Sequence, residues 1–91
     1  MAGSEGGNYR IVFARSAREE LERLPAALSQ RILRRIEGLA AAPRPRGCRK
    51  LAGAENLWRV RVGDYRVLYA LDNRQRLVDV IAVCHRRDAY Q

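Results

Sequence analysis

Arg59, Arg61 and Arg66 flank a Gly63-Asp64 pair, a spacing that brings three guanidinium groups onto one side of a β-hairpin. A two-residue loop pairs Val62 with Tyr65, so Arg61 is predicted opposite Arg66 and Arg59 opposite Leu68. Side chains alternate along a strand. The opposite face of the hairpin therefore shows Trp58, Val60, Val62, Tyr65, Val67 and Tyr69, a core face for other elements to cover. Like charges facing each other across a sheet are destabilising, so stability alone gives no reason to set Arg61 against Arg66. Either an anionic ligand completes the site, or the arginines lie on a wet sheet face with their charge screened by salt.

The end of the chain extends this pattern. If the Asp72–Gln75 turn closes with Leu71 opposite Arg76, then Ile81, Val83 and His85 join the arginine face, while Cys84 sits with the core. A slip of one residue would exchange the two sets. His85-Arg86-Arg87-Asp88-Ala89-Tyr90 then supplies more basic groups and a terminal aromatic. His85 has the only side chain that ordinarily titrates near neutral pH, although a lone histidine is also a common structural residue. No Asp/Glu/His cluster offers a metal site, so no metal or other cofactor is expected and the charge work falls to side chains.

Positioning these groups requires a particular set of elements. Tyr9–Ala14 is short, β-branched and aromatic, which suits a first strand. Ser16-Ala17-Arg18-Glu19 has the form of a capping box, with Ser16 and Glu19 each satisfying a backbone N–H at a helix start. Ala17, Leu21, Leu24 and Leu28 recur at helical spacing, and Pro25 suits the first turn of a second helix running to about Ala41. Leu28, Ile32, Ile36 and Leu39 mark its apolar face, while Arg18, Glu22, Arg31, Arg34 and Arg35 have the character of solvated helix surface. Pro43-Arg44-Pro45-Arg46-Gly47 opens a loop. Leu57–Val62, Tyr65–Leu71 and Leu77–Cys84 then form three strands. The predicted fold is α+β in the order β-α-α-β-β-β, a two-helix hairpin on one face of a mostly antiparallel four-stranded sheet.

The chain of 91 residues holds one core. Residues 1–8 are expected to be a flexible Gly/Ser-rich lead with no signal-peptide character, and residues 9–91 a single domain. No window approaches the ~20 apolar residues of a membrane span. Cys48 and Cys84 make no disulfide framework, so reduced, inert thiols and a cytoplasmic location are expected. The formal net charge is +8, and every basic residue except Lys50 is arginine. Arginine forks onto phosphate oxygens as an ammonium cannot. Charge by itself leaves nucleic acid, an acidic protein and anionic lipid open as partners.

Three stretches carry a resemblance: Lys50-Leu51-Ala52-Gly53, Leu57–Tyr69 and His85–Tyr90, supported by Ser16-Ala17, Glu20-Leu21 and Leu24-Pro25. Together they resemble the RelE branch of the RelE/ParE toxin superfamily over nearly everything after the lead. The resemblance implies the toxin of a type II toxin–antitoxin system. Such a toxin enters the A site of the 30S ribosomal subunit and cuts mRNA there without a metal, stopping translation, and a cognate antitoxin wraps and blocks it. Position by position, Arg59 and Arg61 fall on the paired basic positions of the second strand of this family, and Arg66 on its phosphate-binding arginine. Arg86 falls on the arginine after the last strand, and Tyr90 on the C-terminal tyrosine. Lys50 and Arg87 join them as further RNA-binding groups. Members of this branch often carry lysine where this chain has Arg59 and Arg61, and arginine is a poor general base, which leaves His85 and Tyr90 as the candidates for that role. The alternatives within the superfamily are a ParE-type inhibitor of DNA gyrase without nuclease activity, and an inactive homologue that binds ribosomes or nucleic acid.

Overall fold

Alternating apolar residues in the second half of the chain build three antiparallel strands, and the remaining elements are arranged around them. The structure is a computed structural model and describes residues 8–53, 55–85 and 87. The elements are β1 (Arg10–Phe13), α1 (Arg15–Glu22), α2 (Ala26–Gly38), β2 (Arg49–Lys50), β3 (Leu57–Val62), β4 (Tyr65–Asp72) and β5 (Leu77–His85). One sheet runs β1-β5-β4-β3-β2. β1 is parallel to β5 and every other pairing is antiparallel. This is the expected α+β architecture. The sheet has five strands and not four, because Arg49–Lys50 pairs with the outer edge of β3. Two residues are too few for a period to show in the sequence. Residues 1–7 of the expected lead, Arg86 and Tyr90 lie outside the described residues. No helix among the described residues is long and apolar enough to cross a membrane.

The first helix departs from the expected capping box. It begins at Arg15 with Ala14 as N-cap and no side-chain cap. Ser16 Oγ instead donates to the Ile81 carbonyl at 3.1 Å, and Glu19 pairs with Arg15 at 3.5 Å. The reason lies in the sheet. β1 pairs only with Leu77–Val80, so the outer edge of β5 beyond that point has no strand beside it. An uncovered edge exposes unpaired backbone groups, and α1 supplies their partners: Ser16 at Ile81, and Glu20, whose Oε1 accepts the Val83 N–H at 2.8 Å. Glu20→Ala is expected to lower stability by about 1.5–3 kcal/mol, the scale of a hydrogen bond to a charged group. Glu20→Gln, which keeps an acceptor oxygen, should recover part of that. Denaturant midpoints decide it, and an unchanged midpoint for Glu20→Ala would remove this bond from the account.

The core lies between the helices and one sheet face. Ala17 and Leu21 of α1, with Ile32, Ile36 and Leu39 of α2 and its end, bury against Val60, Val62, Val67, Tyr69, Leu71, Val78, Val80 and Val83. α2 starts after Pro25 and ends at Gly38, one turn short of the expected Ala41. Tyr69 is fully buried, and its hydroxyl donates to the Pro43 carbonyl at 2.7 Å, which ties the loop after α2 to the middle of the sheet. Burial, with the Cys48 thiol as a smaller contributor, pushes the Tyr69 phenol well above its ordinary value of 10.0. A raised folded-state pKa means that the phenol's contribution is intact below pH 10 and falls away above it, where only the unfolded chain ionises. Stability is therefore expected to decline above about pH 10, and Tyr69→Phe should flatten that decline in thermal melts across the alkaline range.

Candidate functional site

The arginine hairpin has the register its loop demands. Gly63 adopts φ +60°, and Arg76 is the only described non-glycine residue at positive φ. A glycine of left-handed φ at the first loop position is the II′ pattern, whose twist suits two paired strands. Val62 pairs with Tyr65, Arg61 with Arg66 and Arg59 with Leu68, as expected. Val60, Val62, Val67 and Tyr69 take the core face, so the three arginines project from the face away from the helices. Arg66 is nevertheless only 5% exposed, Arg59 is half-buried and Arg61 is exposed.

β2 changes the membership of this face. Arg49 pairs with Arg59, and Lys50 pairs with Trp58. Residues directly opposite each other share a face, so Arg49 joins the site, whereas Lys50, expected among the RNA-binding groups, belongs to the Trp58 side. Arg44 stacks over the Trp58 ring at 5.8 Å. Gly47, Arg49, Arg59, Arg61 and Arg66 line one concavity of about 300 Å³. Gly47, at φ +92°, leaves its lip open, with no atom within 4 Å of where a Cβ would stand.

The last strand corrects a second expectation. Near the turn, Leu71 pairs with Val78 and Tyr69 with Val80, two residues further along β5 than the expected Leu71–Arg76 register but with the same faces. The turn is longer because Asp72 Oδ1 accepts the N–H groups of Arg74 and Gln75, both at 3.1 Å, and Arg76 turns to φ +54°. A bulge opposite Leu68/Tyr69 then inverts the alternation. Beyond it Leu68 faces Ala82, Val67 faces Val83, Arg66 faces Cys84 and Tyr65 faces His85. An extra residue in one strand exchanges its faces. Val83 is thus buried in the core, and His85 lies with Tyr65 on the helix-bearing side. Cys84, expected in the core, is the residue that joins the arginines. Neither Cys48 nor Cys84 is in a disulfide.

His85 is therefore not gathered with the guanidinium groups. Its ring meets Tyr65 edge-on at 5.2 Å, and its Nδ1 accepts the Arg87 N–H at 3.2 Å. Arg87 is exposed. The structure thus unites Arg59, Arg61 and Arg66 of the expected residues, adds Arg49 and Cys84, and sets Lys50 and His85 on the other face. In chemical terms the concavity presents fork-shaped donors whose geometry matches phosphoryl oxygens, with no carboxylate among the lining residues.

Comparison with known proteins bears on the family and the fold. The sequence model of a family described as the ParE toxin of type II toxin–antitoxin system, parDE, matches residues 11–90. The chain is similar to Toxin RelE of Mycobacterium tuberculosis (strain ATCC 25618 / H37Rv), with 29% identity over 89 residues, covering 97% of this chain and 92% of the relative. Among solved structures it is similar to the toxin in the archaeal RelE–RelB complex from Pyrococcus horikoshii OT3, with TM-score 0.78 and 30% identity over 87% of this chain and 96% of that one. The toxin–antitoxin complex RelBE2 from Mycobacterium tuberculosis is similar too, with TM-score 0.78 and 26% identity over 89% of this chain and 94% of the matched one.

Proposed function

Since the chain belongs to the RelE/ParE family of toxins from type II toxin–antitoxin systems, matching it over residues 11–90, we propose that it is a metal-independent endoribonuclease that cuts mRNA in the ribosomal A site. The observation that carries this is the buried Arg66 facing Arg61, in a concavity whose other charged side chains are also arginines. Cleavage by the ribose 2′-hydroxyl forms a 2′-O–P bond and breaks the bond from phosphorus to the 5′-oxygen. A base must take the 2′ proton, the phosphoryl oxygens must be neutralised, and the leaving 5′-oxygen must gain a proton. Arg66 and Arg86 are assigned to the phosphate and leaving group, with Arg49, Arg59 and Arg61 holding the strand and Arg87 flanking it. Tyr90 is assigned to proton transfer and to stacking on a base, worth roughly 1–3 kcal/mol. His85 is assigned a positioning role, because its Nδ1 holds the backbone of Arg87 and its ring packs on Tyr65.

The work is placed in the cytoplasm, on ribosomes, under the control of a cognate antitoxin. The relatives of known structure include toxins bound to RelB. The shallow groove formed by Phe13, Leu21 and Leu33, with Arg18 and Glu22 beside it, suits the apolar anchors of an amphipathic antitoxin segment. The test is induced expression followed by mapping of mRNA 5′ ends on ribosomes. New ends at the A site support the assignment; growth arrest with intact mRNA overturns it. A second reading, inhibition of DNA gyrase, draws on the ParE description of the matched family. It predicts that second outcome, together with DNA damage.

A further inference from the structure

A second basic concavity lies between α2 and the end of β3. It holds about 780 Å³ and is lined by Arg31, Arg34, Arg35 and Arg61, together with Gln30 and Gly63. From sequence the helix arginines have the character of ordinary solvated surface, but their placement argues for more. Arg31, Arg34 and Arg35 stand at helical spacings i, i+3 and i+4, where like charges weaken a helix. No Asp or Glu lines the concavity to offset them.

Arg61 lines this concavity and the arginine concavity on the sheet. The two are joined around the outer edge of β3, because β2 pairs only with Trp58 and Arg59 and leaves Val60–Val62, paired with β4 on their other side, uncovered on this one. At the far end Gly63 has no side chain to raise the rim, and the Arg31 guanidinium lies 3.8 Å from where a Cβ would stand.

We propose that Arg31, Arg34 and Arg35, continuous with Arg61, form a second lane for RNA phosphates, which holds the backbone that flanks the segment in the sheet site. This inference rests on the ribonuclease assignment and extends it to the helix side of the molecule. The occupant is a phosphodiester backbone and not an acidic peptide. Only Ala27 and Val62 offer apolar lining here, too little for the anchors an amphipathic segment needs. Guanidinium forks match phosphate oxygens two at a time.

The test uses the full chain, a single-stranded RNA 2′-O-methylated against cleavage, and a salt series. Each phosphate contact contributes about 0.7 to the slope of log K against log salt for single strands. Arg31→Gln/Arg34→Gln, both exposed, is therefore expected to flatten the slope by about 1.4 and to weaken binding about 25-fold at 0.1 M salt, converging on wild type near 1 M. Arg23→Gln/Arg74→Gln, an exposed pair that lines neither concavity, removes the same charge and should stay near the wild-type slope. Flattening on the free oligonucleotide places the contact on the substrate strand. Flattening only with purified 30S subunits would place the contact on ribosomal RNA and overturn the lane as a site for the substrate strand. A helix variant with the wild-type slope in both arms, or one matched by the Arg23/Arg74 control, overturns the lane. If Arg66→Ala still weakens binding in that event, the sheet site stands. Absence of RNA and ribosome binding by the wild type removes both.

Discussion

Arg66→Ala is expected to lower cleavage of ribosome-bound mRNA by about 10²–10³-fold, the usual loss when one preorganised donor to a developing oxyanion is removed. The size follows from where the residue sits. Arg66 is 5% exposed, so its guanidinium acts where water screens it little. It also faces Arg61 across the hairpin, an arrangement that an anion between them would relieve. Arg66→Lys keeps the charge and loses the fork, so it should fall between wild type and alanine. Quantifying A-site mRNA ends at matched protein levels gives the ratio, and a thermal melt establishes that each variant is folded. A folded Arg66→Ala protein with wild-type cleavage would sink the assignment of this concavity as the catalytic site. His85→Ala, by contrast, should cost less activity than Arg66→Ala, because His85 packs on Tyr65 on the other side of the sheet.

The largest stability effect is expected at Ile36→Ala. Ile36 has no exposed surface and stands beside Ile32 and Leu39 on the face of α2 that meets the sheet. Removing a buried isoleucine to Cβ costs about 2–5 kcal/mol, from lost transfer energy and the cavity left behind. A domain of this size has about 5–14 kcal/mol in total, so the variant forfeits a large share. Its Tm should fall by more than about 8 °C, since each kcal/mol moves a small domain by about 4–8 °C. Denaturant unfolding with an unchanged m-value would place the loss in the folded core. A shift below about 1 kcal/mol would mean that α2 yields to fill the space. Antitoxin must be absent from the measurement, because a partner that binds only the folded toxin raises apparent stability by mass action.

Much of this molecule is legible in the order of its residues. The β3–β4 hairpin is fully specified locally: a two-residue loop beginning at Gly63 admits one register, and that register sets Arg61 against Arg66. The apolar faces of α2, β3 and β4 follow from their periods, since each is long enough to show one. Shorter or longer-range features are not available locally. β2 has two residues, so nothing in its sequence separates Arg49 from Lys50, and only pairing with β3 decides which of them shares a face with Arg59. The faces of β5 are decided by one bulge, and the strand on either side of that bulge reads as the same apolar alternation. The same stretch of β5 is held by α1: Ser16 reaches the Ile81 carbonyl and Glu20 the Val83 N–H, across 65 and 63 residues of chain. The sequence by itself determined the chemistry, a cluster of arginines on a hairpin. Tertiary structure alone decided its membership, admitting Arg49 and Cys84 and turning Lys50 and His85 away, because a strand's faces are set by its partners and not by its own residues.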